Sequence, residues 1–132
     1  MKKVFADTFY FLALLNKHDA GHGKAVEYAS RVEQLVTTEW VLTELANGLA
    51  RSRRRDMFPR TRQELLDDAD VSVVSLDMKL HEEGIKLFVS RSDKEWSLTD
   101  CISFVVMQRK GITEALTGDH HFEQAGFVAL LK

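Results

Sequence analysis

Four acidic residues lie beside predicted strand ends or core-facing helix positions, where their carboxylates could bind metal ions together. They are Asp7, Glu44, Asp100 and Asp119. Converging carboxylates raise each other's pKa, so such a cluster is stable only when protons or cations neutralise it. Oxygen ligands without cysteine favour Mg²⁺ or Mn²⁺ over Zn²⁺. Because such ions activate water at a phosphodiester, the four acids predict hydrolysis without a covalent intermediate.

Each acid also has a purely structural interpretation. Asp7 and Asp119 could cap the helices that follow them, and Ser97 with Asp100 resembles a capping box. Glu44 lies within a predicted helix beside an apolar stripe, so its structural alternative is a salt bridge with an Arg or Lys. The combination of the four acids is what favours a metal site.

The elements that must position these acids follow from the hydrophobic pattern. Segments rich in β-branched or aromatic residues predict strands near residues 4–6, 35–37, 71–76, 114–117 and 127–131. Apolar residues at helical spacing predict helices around residues 25–32, 41–49, 80–88 and 102–106. This alternation, without hairpin turns, predicts an α/β fold whose mostly parallel sheet has helices on both faces.

Ligands of such sheets bind beyond the carboxyl ends of the strands, where the strand order reverses. Asp7 directly follows the first predicted strand, and Asp119 follows the fourth. If these strands are neighbours, both carboxylates lie at the same edge of the sheet.

The composition is that of an ordinary globular protein. With 132 residues, 45% hydrophobic and 29% charged, residues 1–132 are expected to form a single domain. Near the N-terminus, Asp7 interrupts the apolar run before a signal-peptide core or membrane span could form, which predicts a cytoplasmic protein. The lone cysteine, Cys101, lies in an apolar run and is expected to be a buried thiol.

Basic residues are concentrated in one segment. The net charge of −2 argues against binding to nucleic acid by bulk charge, so any such contact must be local. Six arginines stand within twelve residues: Arg51, Arg53, Arg54, Arg55, Arg60 and Arg62. The first four could bind phosphates or a partner, or the arginines could be solvated and complement a helix dipole. Both interpretations stay open.

For the other side chains that could bind a ligand, we favour ordinary structural roles. His120 and His121 flank Asp119 and are expected to be solvated, contacting at most a substrate phosphate. The Trp and Phe residues are not spaced along a basic strand face, so we interpret them as core or interface residues rather than base-stacking platforms.

The order of these motifs resembles that of PIN domains. The motifs are Asp7-Thr8 and residues 38–44, 97–104 and 116–122, and the likeness runs from Val4 to Leu131. It is most similar to VapC-like bacterial and archaeal members. The resemblance implies a three-layer α/β/α fold and Mg²⁺- or Mn²⁺-dependent ribonuclease activity through the four acids. It also implies a homodimer and, in toxin–antitoxin members, inhibition by a small DNA-binding antitoxin.

The same resemblance implies supporting roles for two hydroxyl residues. Thr8 would orient the Asp7 carboxylate, and Ser97 would support the start of the helix that carries Asp100. Phe9 departs from the family, because many relatives have a small or polar residue there.

Several alternatives can be weighed against a toxin ribonuclease. A phosphohydrolase with an aspartyl nucleophile would need an acid at the position of Phe9, and a signalling receiver would need paired acids after the first strand. A non-catalytic PIN-like module that binds RNA or protein, and a free-standing nuclease of RNA processing, stay open. For the nuclease, we expect cleavage of single-stranded or loop RNA.

Overall fold

The fold is built on one five-stranded parallel sheet. A computed structural model describes residues 3–132. The strands are β1 (Lys3–Ala6), β2 (Gln34–Thr38), β3 (Val71–Val74), β4 (Glu114–Leu116) and β5 (Val128–Ala129). They lie in the order β3-β2-β1-β4-β5, and all four neighbouring pairs are parallel. The first and fourth strands are therefore neighbours, which is the condition under which Asp7 and Asp119 lie at the same edge of the sheet.

Seven helices connect these strands within the described residues. They are α1 (Thr8–Leu15), α2 (His22–Ala29), α3 (Glu39–Leu49), α4 (Met57–Asp67), α5 (Met78–Ser90), α6 (Leu98–Lys110) and α7 (His120–Gln124). Crossovers between parallel strands are nearly always right-handed. The chain runs outward from β1 to β3 and then returns to β4 and β5, so the helices before and after β3 cover opposite faces. The predicted three-layer α/β/α class is confirmed.

Two strands are shorter than the sequence pattern predicts. The predicted strand 71–76 ends at Val74, because its register with β2 ends at Thr38 and Asp77 then caps α5. The predicted strand 127–131 is reduced to β5, which pairs with only two residues of the short strand β4. The extent of each strand is thus limited by its neighbour in the sheet.

Helix α4 was not predicted, and the arginine-rich segment runs into it. Its eleven residues include no fully buried side chain, and the half-buried Phe58 and Leu65 make its contact with the core, so few apolar residues mark it in the sequence. Pro59 is tolerated because it lies in the first turn, where backbone N–H groups have no partner within the helix. Arg60 and Arg62 belong to α4, whereas Arg51 to Arg55 lie in the turn before it.

Central strand β1 leads directly from the core into the carboxyl edge of the sheet. Val4, Phe5 and Ala6 are fully buried, as expected of a strand covered on both faces. Helix α6 is held close to α5 at Gly84, where an added Cβ would overlap the side chain of Ile102. Among residues 3–132, no helix combines the length and apolar character that a membrane span requires.

Candidate active site

The four predicted acids line one cleft at the carboxyl edge of the sheet, where the strand order reverses between β1 and β4. The cleft has a volume of about 650 Å³. The residues that line it are Asp7, Thr8, Phe9, Leu12, Glu44, Asn47, Gly48, Glu95, Ser97, Asp100, Asp119 and His121. The structure therefore brings together four carboxylates that are separated in sequence by up to 112 positions.

Asp7 is the most deeply buried acid of the cluster. Its residue is 5% exposed, and Oδ2 accepts a 2.9 Å hydrogen bond from Oγ1 of Thr117. Burial, together with the neighbouring carboxylates of Asp100 and Glu44, raises the pKa of Asp7 to about 7, although the hydrogen bond from Thr117 opposes this shift. Its side chain makes no capping bond to α1, so the capping interpretation does not apply.

Asp100 combines a structural role with a place in the cleft. It lies at the third position of α6, where it forms a reciprocal capping box with Ser97, as the sequence predicted. Its Oδ2 accepts a bond of 3.2 Å from the Ser97 backbone N–H and lies 3.1 Å from Nδ1 of His121. Burial raises the pKa of Asp100, while the bonds from Ser97 and His121 lower it. Capping and a functional role are therefore compatible.

Asp119 follows β4 and caps the short helix α7. Its Oδ1 accepts the backbone N–H of His121 at 2.9 Å, and its own N–H donates to Oγ1 of Thr117 at 3.0 Å. Nδ1 of His121 also lies 3.4 Å from Oδ1 of Asp119. The His121 imidazole thus stands between the carboxylates of Asp100 and Asp119. Its side chain is only 18% exposed, so the expectation that both histidines are solvated is wrong for His121 and correct for His120.

Glu44 reaches the cleft from α3, which begins after Thr38 accepts a capping bond from the N–H of Val41. Among the described residues, no Arg or Lys forms a salt bridge with Glu44. Instead, Oγ1 of Thr8 donates a 2.5 Å hydrogen bond to Oε1 of Glu44. The prediction that the Thr8 hydroxyl bonds to Asp7 is therefore wrong. That hydroxyl points to Glu44 on α3, and Asp7 accepts its bond from the hydroxyl of Thr117 instead.

The residues that line the cleft include no Lys or Arg among those described. Four acids without a basic counter-charge, one of them with a pKa raised to about 7, are the electrostatic signature of a cation site. Carboxylate oxygens suit Mg²⁺ or Mn²⁺. Donor atoms of Asp119, His120 and His121 also lie within 4.8 Å of one another, so imidazole nitrogen is available at one side of the cluster. The types of donor suit a divalent cation, but among the described residues only Asp119, His120 and His121 place three of them within 4.8 Å of one another.

The arginine segment lies outside this cleft. Arg55 donates to the carbonyl of Ala50 at the end of α3, which agrees with the dipole interpretation for that residue. Arg62 pairs with Glu39 at 2.5 Å, and Arg54 donates to Asn16 at 3.4 Å. Arg51 and Arg53 are exposed.

Sequence reasoning missed three polar residues of the site. Thr117 belongs to the motif that places Asp119, and a hydroxyl directly after a strand could have indicated its contact with Asp7. Asn47 lies one turn after Glu44 on α3, a spacing that puts both on one helix face. Glu95 carries no signal in the sequence, since it lies in the loop before α6. Cys101 is buried as predicted, and burial raises its pKa to about 11.

A protein-family model described as PIN domain matches residues 4–128. The chain belongs to the PIN-domain family. The 23S rRNA-specific endonuclease VapC20 of Mycobacterium tuberculosis is 35% identical to this PIN domain over 127 residues, which cover 95% of each chain. The family predicted from the sequence motifs is confirmed, and this relative is an RNA endonuclease, which is the kind of enzyme that the motifs predicted.

Solved structures of PIN-domain proteins agree with this assignment. The crystal structure of M. tuberculosis VapC20, described as a sarcin–ricin loop cleaving toxin, matches with a TM-score of 0.85 and 32% identity over 95% of this chain and 96% of that one. VapBC2 from Rickettsia felis, bound to a fragment of its promoter DNA, matches with a TM-score of 0.65 over 98% and 97%. At 14% identity, the second match shows the fold alone.

Proposed function

We propose that this PIN domain is a metal-dependent endoribonuclease and the toxin of a type II toxin–antitoxin pair, with a loop of ribosomal RNA as its substrate. The observation that carries the proposal is the convergence of Asp7, Glu44, Asp100 and Asp119 in a cleft without a basic counter-charge. The similarity to a 23S rRNA endonuclease over nearly the whole chain supports the substrate class.

In this proposal the four acids hold Mg²⁺ or Mn²⁺, and the surrounding groups hold the acids. The bound ion supplies an activated water and stabilises negative charge on the phosphate. Asp7 must release its proton for that site to form, because its carboxyl keeps the proton up to about pH 7 without an ion. Thr8 orients Glu44, while His121 and Ser97 fix Asp100. Such supporting contacts set the direction of each ligand oxygen.

RNA binding must depend on local contacts, since the net charge is −2. We assign the phosphate contacts outside the cleft to the patch that comprises Arg51, Arg53, Arg54 and Arg55. Arg51, Arg53 and Arg55 are exposed in the turn after α3, the helix that carries Glu44 and Asn47 into the cleft. Arg62 is left out, because Glu39 neutralises it.

We further propose that the enzyme acts in the cytoplasm as a homodimer and that a small DNA-binding antitoxin inhibits it. Family resemblance carries this part, and VapBC2 from Rickettsia felis, which was crystallised with promoter DNA, shares the fold. The test is induction of the chain in a bacterial host with and without an Asp100→Asn substitution. Growth arrest that needs Asp100 supports the toxin role, whereas normal growth with both proteins favours a free-standing nuclease.

The catalytic proposal is tested with a synthetic hairpin that carries the sarcin–ricin loop of 23S rRNA. Purified protein is incubated with it in Mn²⁺, in Mg²⁺ and in EDTA, beside the Asp100→Asn variant. Asp67→Asn serves as the matched control, because Asp67 is exposed on α4 and does not line the cleft. A second hairpin with the same stem and a scrambled loop tests the substrate.

We expect cleavage at one loop position in Mn²⁺ or Mg²⁺, none in EDTA, and background levels with Asp100→Asn but not with Asp67→Asn. Cleavage that persists in EDTA would overturn the role of the metal. Equal cleavage of both hairpins would overturn the proposed substrate loop. A folded protein that binds the hairpin but leaves it intact with every ion would instead be a non-catalytic binding module.

A further inference from the structure

Phe9 presents an aromatic ring at the active-site cleft. It stands two positions after Asp7, in the first turn of α1, and its residue is 39% exposed. The next two aromatic residues of α1, Tyr10 and Phe11, are buried in the core. Among the described residues, Phe9 is the only Phe, Tyr or Trp that lines the cleft. Because the side chain of Phe9 is exposed beside four carboxylates, it is not part of the hydrophobic core.

The ring of Phe9 is held against the loop that carries Asp119. At Gly118, an added Cβ would lie 2.6 Å from Cζ and 3.0 Å from both Cε atoms of Phe9, so the end of the ring rests on the glycine backbone. Cε1 of Phe9 also lies 3.6 Å from the position that a Cβ added at Gly21 would occupy. The ring therefore packs closely against Gly118 and lies near Gly21, at the edge of the cleft.

We propose that Phe9 is a specificity-determining residue that stacks on an unpaired nucleobase next to the scissile phosphate. This inference rests on the proposed ribonuclease function and deepens it, because it requires a substrate whose base is free to leave its own stack. RNA is read largely in loops and single strands, where unstacked bases pack on aromatic side chains. The proposal departs from the expectation that the aromatic residues are core or interface residues, because Phe9 is 39% exposed and lines the cleft.

The position of Phe9 relative to Asp7 suits this contact. The Cα atoms of two residues separated by one other are at most about 7.6 Å apart. A phosphate held over Asp7 therefore has its neighbouring nucleotide within reach of the ring. Among the described lining residues, no Lys or Arg competes for the base or gives the cleft a general attraction for phosphate. Stacking then adds affinity that no Lys or Arg supplies at this place.

The experiment compares cleavage of the sarcin–ricin hairpin by wild-type protein, Phe9→Leu and Phe9→Trp. Leucine keeps an apolar contact with Gly118 but has no π face, whereas tryptophan keeps the π face. Each protein is also assayed on hairpins in which one loop nucleotide at a time is made abasic. Leu66→Ala, at an exposed apolar residue of α4, is the matched control for loss of apolar surface. Thermal unfolding checks that all variants fold.

We expect Phe9→Leu to lower kcat/KM roughly 5- to 100-fold, the range that stacking on one base spans, mainly through a higher KM. Phe9→Trp should retain activity. With wild-type protein, one abasic hairpin should be cleaved with a kcat/KM that is lower by a similar factor. For that hairpin, Phe9→Leu should lower kcat/KM no further. The role of Phe9 is overturned if Phe9→Leu equals wild type, or if its defect is the same on every abasic hairpin. If wild-type protein cleaves no hairpin, the proposed function itself fails, and the role of Phe9 fails with it.

Discussion

Oγ1 of Thr117 lies 2.9 Å from Oδ2 of Asp7 and accepts the backbone N–H of Asp119 at 3.0 Å. One fully buried hydroxyl thus links the acids at the ends of β1 and β4. The two strands are neighbours in the sheet, although their acids are 112 residues apart in the chain. Thr117 is therefore the structural connection between the two halves of the candidate metal site.

Removal of this hydroxyl should weaken metal binding without removing any acid. In Thr117→Val, Asp7 loses a hydrogen bond that favours its charged form, so its pKa should rise further. Substitutions of groups that orient metal ligands typically cost 10- to 100-fold in affinity or activity. Calorimetric titration with Mn²⁺ at pH 7 measures the loss, with the exposed Thr113→Val as control. Equal affinities of the two variants would contradict a role for the Thr117 hydroxyl.

Metal binding should depend steeply on pH. A metal-bound carboxylate must be deprotonated, and the pKa of Asp7 is raised to about 7 in the metal-free protein. The apparent Mn²⁺ affinity should therefore rise roughly tenfold per pH unit from pH 5 to 7 and level off above pH 7. Titrations in two buffers of different ionisation enthalpy should show proton release on binding at pH 6. An affinity that is constant from pH 5 to 8 would be inconsistent with this pKa.

The metal-free protein should be stabilised when Asp7 loses its charge. The unfolded chain releases the Asp7 proton near pH 3.8, but the folded chain keeps it to about pH 7, so stability falls as pH rises between these values. The effect is up to about 4 kcal/mol, at about 1.4 kcal/mol per pH unit. Urea unfolding in EDTA should show Asp7→Asn more stable than wild type at pH 8 and nearly equal to it at pH 4. A difference that is the same at both pH values would exclude this origin.

His121 should matter for activity more than its exposed neighbour. Its Nδ1 atom stands 3.1 Å from Asp100 and 3.4 Å from Asp119, whereas His120 has a side chain that is 62% exposed. We expect His121→Ala to lower Mn²⁺ affinity and hairpin cleavage by about 10- to 100-fold. His120→Ala, the matched control, should change both by much less. The same loss in both variants would show that the contacts of His121 are not what holds the acids.

Much of the site was predictable because each acid has a local signal. Asp7 and Asp119 directly follow strands, and Asp100 lies in the first turn of an apolar helix. The partner of Asp100 within its own helix, Ser97, was predictable, but partners from other elements were not, because a hydrogen bond such as that from Thr8 to Glu44 depends on how α1 packs beside α3. Helix α4 was missed because its core-facing residues Phe58 and Leu65 are few and stand among arginines and other polar residues.

The sequence by itself determined the order of the strands and of the helices other than α4, the four acids that line the cleft and the family. Hydrophobic periodicity and short motifs are local properties, which a linear chain displays without being folded. Only the tertiary structure decided that Thr117 serves Asp7, that His121 stands between two carboxylates, and that Phe9 is exposed against Gly118. These relationships depend on the packing of loops from different strands at one edge of the sheet. No spacing in the chain encodes that packing.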